Sequence, residues 1–344
     1  MPIDLLAPPA AISVIAVAAI FSAGLIVLLY PLLKRYALAR PNMRSSHRAP
    51  TPQGGGIAVL ATVVIVSAGS AVIAPFTQPL SVAVVLGCAV ALAFVGAFDD
   101  IRPIDPLPRL FLQSIAVFIV LASLPAGLRA APFLPWWIER ALLFIAMLWF
   151  VNLVNFMDGI DWITVAEVVP ITAALAWFGT IGALPRDATL IALALCGAMI
   201  GFAPFNRPVA RLFLGDVGSL PIGLLLGWML VLLGESHLTA ALLLPLYYVA
   251  DATITVLRRF VRGEAVMQAH RSHFYQQALD GGLGIYSIIG RILAANLVLV
   301  ALAVFCAFTD SLATHAMALA AGGLVVGILL WSLAASPPAR TKNS

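Results

Sequence analysis

Charged side chains are scarce in this sequence of 344 residues. Only 10% of the residues are Asp, Glu, Lys or Arg, whereas 62% are hydrophobic and the mean hydropathy is +1.06. A soluble protein of this length has no way to bury so much apolar surface. The composition therefore excludes a soluble protein and indicates an integral membrane protein. We expect the lipid bilayer, and no nucleic acid, as its partner.

Cysteines and long polar stretches are also scarce. The three cysteines lie inside apolar runs, where burial as small hydrophobic side chains is a simpler interpretation than a disulfide or a metal site: Cys88, Cys196 and Cys306. The longest stretch that is not apolar runs from Arg258 to about Gly284, which is too short for a soluble domain. We therefore expect residues 1–344 to form a single membrane-embedded domain.

Long apolar runs make up most of the chain. About eleven are long enough to cross roughly 30 Å of hydrocarbon. Their approximate centres are Val17, Val64, Val90, Val117, Ile145, Ala174, Leu193, Leu225, Leu244, Leu297 and Val325. Backbone polar groups inside a bilayer must be satisfied within the protein. These runs therefore predict an all-α polytopic protein with about eleven transmembrane helices.

Basic residues are divided unequally between alternate loops. If the loop after the first apolar run is cytoplasmic, 16 of the 19 Lys and Arg residues lie on that side, and only Arg129, Arg140 and Arg186 lie opposite. The positive-inside rule then predicts an N-terminus outside and a cytoplasmic C-terminus.

Five polar segments fall on the same predicted cytoplasmic side: Arg40–Gly56, Asp99–Arg109, Asp158–Thr164, Asn206–Ser219 and Arg262–Asp280. Three of them carry carboxylates at the ends of apolar runs, where membrane anchoring does not require acids. Carboxylates gathered at one membrane face indicate a site for Mg²⁺ and phosphate. For the pair Asp99-Asp100 taken alone, solvation of a helix end is an equally good interpretation.

A polar stripe precedes the second group of acids. Asn152, Asn155 and Asp158 recur every three residues, and Asp161 continues the spacing. On a helix these side chains share one face, and polar groups on an apolar helix need partners. The two terminal carboxylates favour a binding site. The alternative is a hydrogen-bonded seam between helices.

Asp216 lies between two glycines just before an apolar run, in F-L-G-D-V-G-S. Glycine permits close backbone approach, and the N–H groups of a helix start favour anions. Asp216 is therefore a candidate Mg²⁺ ligand beside N–H groups that meet phosphate. The alternative is an ordinary helix N-cap.

Two further segments are basic. Arg44–Gly56, which contains His47 and Arg48, is rich in turn residues and is either a phosphate cradle or an ordinary basic loop. The H-R-S-H segment at His270–His273 has a spacing weakly typical of zinc sites, but no cysteine or third close ligand accompanies it. Arg and His beside carboxylates fit a diphosphate better.

Together these segments resemble the polyprenyl-phosphate N-acetylhexosamine-1-phosphate transferases, a family that includes the enzymes that initiate O-antigen and teichoic acid synthesis and the peptidoglycan translocase. The resemblance extends from about Pro41 to Leu279. It rests on five motifs in order: P-N-M-R-S-S-H-R-A-P-T-P-Q-G-G-G, G-A-F-D-D, N-L-V-N-F-M-D-G-I-D, F-L-G-D-V-G-S and H-R-S-H. The basic loop is most similar to the branch that starts lipopolysaccharide O-antigen.

The resemblance implies an enzyme of the bacterial inner membrane with its active site at the cytoplasmic face. Undecaprenyl phosphate would attack the sugar-linked phosphorus of a UDP-N-acetylaminosugar, giving polyprenyl-diphospho-sugar and UMP. Mg²⁺ is implied, with Mn²⁺ as an alternative ion, and a homodimer is expected by family analogy alone. The sugar stays open between N-acetylglucosamine, N-acetylfucosamine and N-acetylquinovosamine, and a peptidoglycan-type transfer is the alternative within the family.

Catalytic and metal-binding roles follow from the matched motifs. Asp99 and Asp100 match the family's acidic pair, and Asp99 is the candidate to orient the lipid phosphate or take its proton. Asp216 matches a metal ligand. Asp158, in the polar stripe, is expected to act both in catalysis and as a second metal ligand.

Substrate-binding roles are implied for eight residues. Asn155 belongs to the polar stripe. Asp161 and Asn206 would lie near the uracil, and Phe213 would stack on it. Phosphate or sugar would meet His47, Arg48, Arg271 and His273.

The chain departs from the family's pattern at three positions. Trp162 stands where a glycine is usual, so the turn after Asp161 is expected to differ. Gln53 stands where related chains often have arginine, and Tyr275 stands where many have a further histidine. No motif carboxylate is lost, so we expect an active enzyme.

A secondary transporter is the main rival from another class, because about eleven helices with polar groups would suit one. Transporters place such groups near the middle of the bilayer, whereas here they cluster at one face. A purely structural membrane subunit would leave the clustered acids unexplained.

Overall fold

The computed structural model describes residues 6–39, 50–265 and 270–335, and these form an almost entirely helical bundle. The helices are α1 (Pro8–Tyr36), α2 (Gly55–Ile73), α3 (Pro79–Ile101), α4 (Pro106–Ala122), α5 (Trp136–Met157), α6 (Ile163–Thr180), α7 (Arg186–Phe202), α8 (Asp216–Leu243), α9 (Leu246–Val261), α10 (Phe274–Asp280), α11 (Ile285–Cys306) and α12 (Leu312–Ala334). Strands β1 (Leu38–Ala39) and β2 (Thr51–Pro52) form a short antiparallel pair. The prediction of an all-α polytopic membrane protein is confirmed.

Eight of these helices are long and apolar enough to cross a membrane: α1, α2, α3, α5, α6, α8, α11 and α12. Helix α4 is apolar but has only 17 residues. The apolar run centred on Leu244 is not one helix, because α8 departs from helical geometry at His237 and Leu244 lies between α8 and α9. The number of eleven spans stays a prediction.

Helix α8 is the centre of the bundle. Every residue in its most apolar 18-residue window is buried, as expected for a helix that is hydrophobic on all sides. It packs against α2, α3, α5 and α11. By contrast, only 22% of the corresponding window of α1 is buried, so α1 presents most of its surface to lipid. The start of α8 carries Asp216, and the surrounding helices therefore determine the surroundings of that carboxylate.

Glycines bring two helices unusually close to the start of α8. A Cβ atom on Gly96 of α3 would lie 2.3 Å from the backbone oxygen of Asp216, and one on Gly56 of α2 would lie 2.2 Å from the Cα atom of Gly218. Real Cβ atoms do not approach other atoms so closely, so both positions require glycine. Packing thus explains one glycine in each of two motifs.

Candidate active site

Four of the five predicted polar segments meet in their described parts at one end of the bundle, and the basic loop joins them through its last residues. Gln53 donates to the backbone oxygen of Asp100 at 2.8 Å, and Gly55 N–H donates to the Phe213 oxygen at 2.9 Å. The histidine segment joins through Tyr275, whose hydroxyl donates to the Phe156 oxygen at 3.3 Å. In their described parts these segments therefore lie at the same end of the bundle, and their place at the cytoplasmic face stays a prediction. His47 and Arg48 lie outside the described residues.

Asp100 caps helix α8 from a neighbouring helix. Its two carboxylate oxygens accept the backbone N–H groups of Asp216 at 3.1 Å and Val217 at 3.2 Å. The N-cap residue of α8 is Gly215, with φ of 78°. Asp216 is therefore the first residue of the helix and not its N-cap, and Asp100 occupies the N–H groups that we expected to meet phosphate. This favourable end of the helix dipole stabilises the Asp100 carboxylate.

Arg109 joins Asp99 to Asp216. Its Nη1 atom lies 2.7 Å from Asp99 Oδ2 and 3.5 Å from Asp216 Oδ2, and the Asp99 and Asp216 side chains are within hydrogen-bonding contact of each other. Asp99 also accepts the Ile104 N–H at 2.6 Å. Sequence reasoning counted Arg109 only among the cytoplasmic basic residues. Its place near the start of the helix that follows Asp99-Asp100 was the available signal.

Asp158 lies just after the end of α5 and is half-buried. It accepts the Thr164 hydroxyl at 2.5 Å. Burial raises the pKa of this carboxyl to about 6, and the charges of Asp100 and Asp161 act in the same direction, whereas the Thr164 hydrogen bond lowers it. Asp100 also repels the charge of Asp216. Asp100 is therefore close enough to influence both remaining carboxylates.

The acids of the bundle divide into two groups by what their oxygens bind. Six hold backbone N–H groups of a neighbouring loop or helix start: Asp99, Asp100, Glu139, Asp161, Asp187 and Asp251. Asp216 and Asp158 hold none within the described part of the chain. Their contacts are with side chains only, so their oxygens are the most available for a ligand.

Whether the site suits a magnesium ion depends on which carboxylate oxygens are not already bound to backbone N–H groups. Among the described residues no group of three or more His, Cys, Asp or Glu side chains is arranged to hold a metal ion. Mg²⁺ usually binds one or two carboxylates and completes its shell with phosphate oxygens and water. Asp216 and Asp158 are the two candidates for that requirement, because Asp100 acts on both and their oxygens hold no described backbone N–H group. Arg109 is the basic side chain in contact with Asp99 and Asp216. The donor set fits the ion.

The predicted polar stripe is partly a seam between helices. Asn155 donates to the Ser219 hydroxyl of α8 at 2.9 Å, and Asn152 donates to the Leu148 oxygen within its own helix at 2.8 Å. These contacts correspond to the alternative interpretation of the stripe. Its terminal residue, Asp158, accepts the Thr164 hydroxyl and lies near Asp100 and Asp161.

Asp161 and Asn206 join the loop before α6 to the loop before α8. Asp161 accepts the Ala210 N–H at 2.9 Å, and Asn206 accepts the Trp162 N–H at 2.7 Å and donates to the Leu212 oxygen at 3.0 Å. Both side chains are buried. Here they hold the two loops together, and their predicted place near a uracil stays a prediction.

Trp162 adopts a backbone conformation that is unusual for a residue other than glycine. Its φ of 66° and ψ of −4° lie in the left-handed region, which glycine enters easily and other residues enter at a cost of about 1–2 kcal/mol. The indole compensates, since its Nε1 donates to the Ala203 oxygen at 2.7 Å and its ring meets Tyr286 edge-on at 6.0 Å. The expectation that this turn differs from the family's stays a prediction.

Phe213 lies in the loop that leads to α8 and is half-buried. Its backbone N–H donates to the Pro52 oxygen at 2.9 Å, and its oxygen accepts the Gly55 N–H. The glycines of the basic loop are thus bound to the F-L-G-D segment, with the Gly56 N–H on the Leu214 oxygen at 2.9 Å. The predicted phosphate cradle is described from Pro50 onward. This part binds the backbone of the segment that carries Asp216.

The histidine segment is held by acids. Arg271 forms an exposed ion pair with Asp280 at 2.7 Å, and His273 Nδ1 lies 3.1 Å from a carboxylate oxygen of Asp251 in α9. Sequence reasoning missed Asp251. A single acid inside Y-Y-V-A-D-A-T adjoins no other motif residue, and its only signal was a charge in a mainly apolar segment.

The sequence is similar to a known protein family and to several relatives. The model of glycosyl transferase family 4 matches residues 82–234, which include Asp99, Asp158 and Asp216. The chain is 25% identical over 286 residues to a probable undecaprenyl-phosphate N-acetylglucosaminyl 1-phosphate transferase of Bacillus subtilis, covering 78% of each.

Two other relatives match a shorter part of the chain. A decaprenyl-phosphate N-acetylglucosaminephosphotransferase of Mycobacterium leprae is 29% identical over 232 residues, which are 61% of this chain and 57% of that protein. A phospho-N-acetylmuramoyl-pentapeptide-transferase of Streptococcus pneumoniae is 28% identical over 228 residues, 61% of this chain and 68% of the relative.

The fold and site define a multi-pass membrane protein with acids and an arginine clustered at one end of its helices, and its relatives are phosphotransferases. Over residues 82–234 the chain is similar to glycosyl transferase family 4.

Proposed function

We propose that this protein transfers an N-acetylhexosamine 1-phosphate from a UDP-sugar to undecaprenyl phosphate and releases UMP. The lipid phosphate oxygen forms a bond to the sugar-linked phosphorus, and the bond from that phosphorus to the bridging oxygen of UMP breaks. The product is a polyprenyl-diphospho-sugar that starts O-antigen or another envelope glycan. The relatives' names support the lipid acceptor and the sugar phosphate.

The observation that carries the proposal is the Asp99–Arg109–Asp216 cluster at one end of an apolar bundle. One substrate is a membrane lipid and the other is soluble in water, so the site must lie where the bilayer meets water. Phosphoryl transfer mainly requires positioning and charge stabilisation. Arg109 supplies a fixed positive charge for phosphate oxygens, and Asp99 orients the lipid phosphate or accepts its proton.

Asp216 and Asp158 are the residues that would hold Mg²⁺. When bound, the ion neutralises diphosphate oxygens. Asp100 keeps the start of α8, and with it Asp216, in position. The unequal distribution of basic residues supports a cytoplasmic site, where nucleotide sugars are made.

The test is incubation of purified protein with undecaprenyl phosphate, Mg²⁺ and each of a panel of radiolabelled donors. The panel contains UDP-activated N-acetylglucosamine, N-acetylfucosamine, N-acetylquinovosamine and N-acetylmuramoyl-pentapeptide. We expect one donor to give a labelled lipid on thin-layer chromatography together with UMP. Proteoliposomes that take up the intact nucleotide sugar without forming a labelled lipid would indicate the rival transporter.

A further inference from the structure

Asp251 is a buried carboxylate in α9 to which the proposed reaction assigns no role. Its side chain is 0% exposed. One oxygen, Oδ1, lies 3.1 Å from His273 Nδ1, 3.2 Å from the Phe274 backbone nitrogen and 3.3 Å from Thr255 Oγ1. The other oxygen accepts the Tyr247 hydroxyl at 3.4 Å. His273 is the only one of these four partners whose side chain can carry a matching positive charge.

The ring of His273 also has two aromatic neighbours. Tyr275 stacks on it with ring centroids 5.7 Å apart and planes 18° apart, and His270 lies at 5.0 Å. A carboxylate only accepts hydrogen bonds, so Nδ1 must carry the proton that points at Asp251. The His273 side chain also faces the Gln276 backbone N–H, which a protonated Nδ1 does not accept. This tautomer leaves Nε2 as the nitrogen that can accept a hydrogen bond.

We propose that Asp251 is the positioning residue for His273. It fixes the ring and its Nδ1–H form, so that Nε2 is directed at the diphosphate-sugar donor. There the neutral nitrogen accepts from a sugar hydroxyl or N–H group, and the protonated nitrogen donates to a diphosphate oxygen. The inference rests on the proposed function, because it assigns His273 to the donor. A carboxylate that orients the far nitrogen of a functional histidine is the usual means of setting the tautomer of such a residue.

Two contacts connect Asp251 and His273 to the segment that follows Asp158. A Cβ atom on Gly159 would lie 2.2 Å from the Tyr275 hydroxyl, so the ring that stacks on His273 packs directly against the M-D-G segment. From α9 itself, the Tyr248 hydroxyl lies 3.4 Å from Thr164 Oγ1, which in turn donates to Asp158. Helix α9 therefore contacts both the histidine segment and the residue that holds Asp158.

The direct test of the tautomer is nitrogen NMR of the full chain in lipid nanodiscs with [¹⁵N]histidine. The sequence has five histidines, and the signal lost in His273→Gln identifies the one in question. We expect Nδ1 of His273 to be protonated without any substrate present. A His273 that is protonated at Nε2 and bare at Nδ1 would overturn the proposal, whatever the activity.

Kinetics then separate positioning from a merely structural role. Asp251→Asn is expected to lower kcat/KM for the donor by roughly 10- to 100-fold, the range typical when the partner of a functional histidine is removed. In a His273→Ala background the same change should add little. Equal losses in both backgrounds would mean that Asp251 only holds α9 to α10, and would overturn the proposal.

Thr255→Val is the matched control, because it removes another donor to the same oxygen and leaves His273 in place. We expect it to change kcat/KM less than about threefold. Asp251→Glu keeps the charge and should recover part of the loss, which covers the case in which the asparagine variant does not fold. Wild-type protein that transfers no sugar phosphate from any donor would defeat the proposed function, whereas active protein with a bare Nδ1 would defeat only the role of Asp251.

Discussion

At the scale of single residues, the acids differ in what their oxygens already bind. Asp216 contacts Arg109 and Asp99 but no backbone N–H group within the described residues. A neutral amide is a poor Mg²⁺ ligand. We therefore expect Asp216→Asn to fold normally and to lose more than about tenfold in transfer rate, or ~1.4 kcal/mol of transition-state stabilisation.

The rate of lipid labelling and the thermal unfolding temperature together measure this effect. Asp105→Asn is the matched control, because Asp105 is an exposed carboxylate in the loop between α3 and α4, and it should keep full activity. An Asp216→Asn enzyme with more than a tenth of the wild-type rate would show that Asp216 is not the principal ligand.

The pKa of Asp158 predicts how stability and activity depend on pH. Its pKa is raised to about 6, so it is protonated below that value and ionised above it. Because the folded protein binds this proton more tightly than the unfolded chain does, its contribution to stability is lost as the pH rises from about 4 to 6. Activity that requires the carboxylate should rise between about pH 5 and pH 7, centred on this pKa, at sub-saturating Mg²⁺.

Thr164 provides the control for that assignment. Its hydroxyl stabilises the ionised form of Asp158. Thr164→Val should therefore move the acidic limb of the pH–rate profile to higher pH, whereas Thr164→Ser should leave it in place. An identical acidic limb in all three proteins would assign it to another group.

At the scale of secondary structure elements, the site depends on close contact between α3 and α8. A methyl group at Gly96 would lie 2.3 Å from the Asp216 oxygen and 2.6 Å from the Val217 nitrogen. Gly96→Ala must therefore push the start of α8 away from Asp100. We expect a loss of about 1–3 kcal/mol in the free energy of unfolding and a loss of most transfer activity.

Gly87→Ala on the same helix is the matched comparison. Nothing lies within 4 Å of a Cβ atom there, and alanine is the better helix former. This variant should equal or slightly exceed the wild type in stability and activity, measured by denaturation and lipid labelling. Equal behaviour of the two alanine variants would contradict the close packing that holds Asp100 against α8.

The sequence was sufficient to predict the helical class and the residues of the acid cluster, because hydropathy and charge are local properties. It was not sufficient to tell anchoring acids from available ones. Asp100 and Asp216 look alike in sequence, and only the folded chain shows that Asp100 holds the N–H groups of α8. Asp251 was missed for the same reason, because its partner His273 lies 22 residues further along the chain.

At the scale of the whole molecule, sidedness is the main prediction. Ser272→Cys should react with an impermeant thiol reagent only from the cytoplasmic side, and Thr77→Cys only from the outside, because 16 of 19 basic residues lie in the loops assigned to the cytoplasm. The native cysteines provide the background, since Cys196 and Cys306 are buried and Cys88 is half-buried. Labelling of position 272 from outside would reverse the orientation of all five motifs.

The central claim is that the sugar moves together with its phosphorus. The most direct measurement uses a UDP-sugar that carries ³H in the sugar and ³²P in the sugar-linked phosphate, with undecaprenyl phosphate and purified protein. We predict that both labels enter the lipid in a constant ratio and that one unlabelled UMP appears for each lipid formed. Transfer of ³H alone with release of ³²P-labelled UDP would contradict the account, because it would mean that the bond between sugar and phosphate, and not the bond between the two phosphates, is broken.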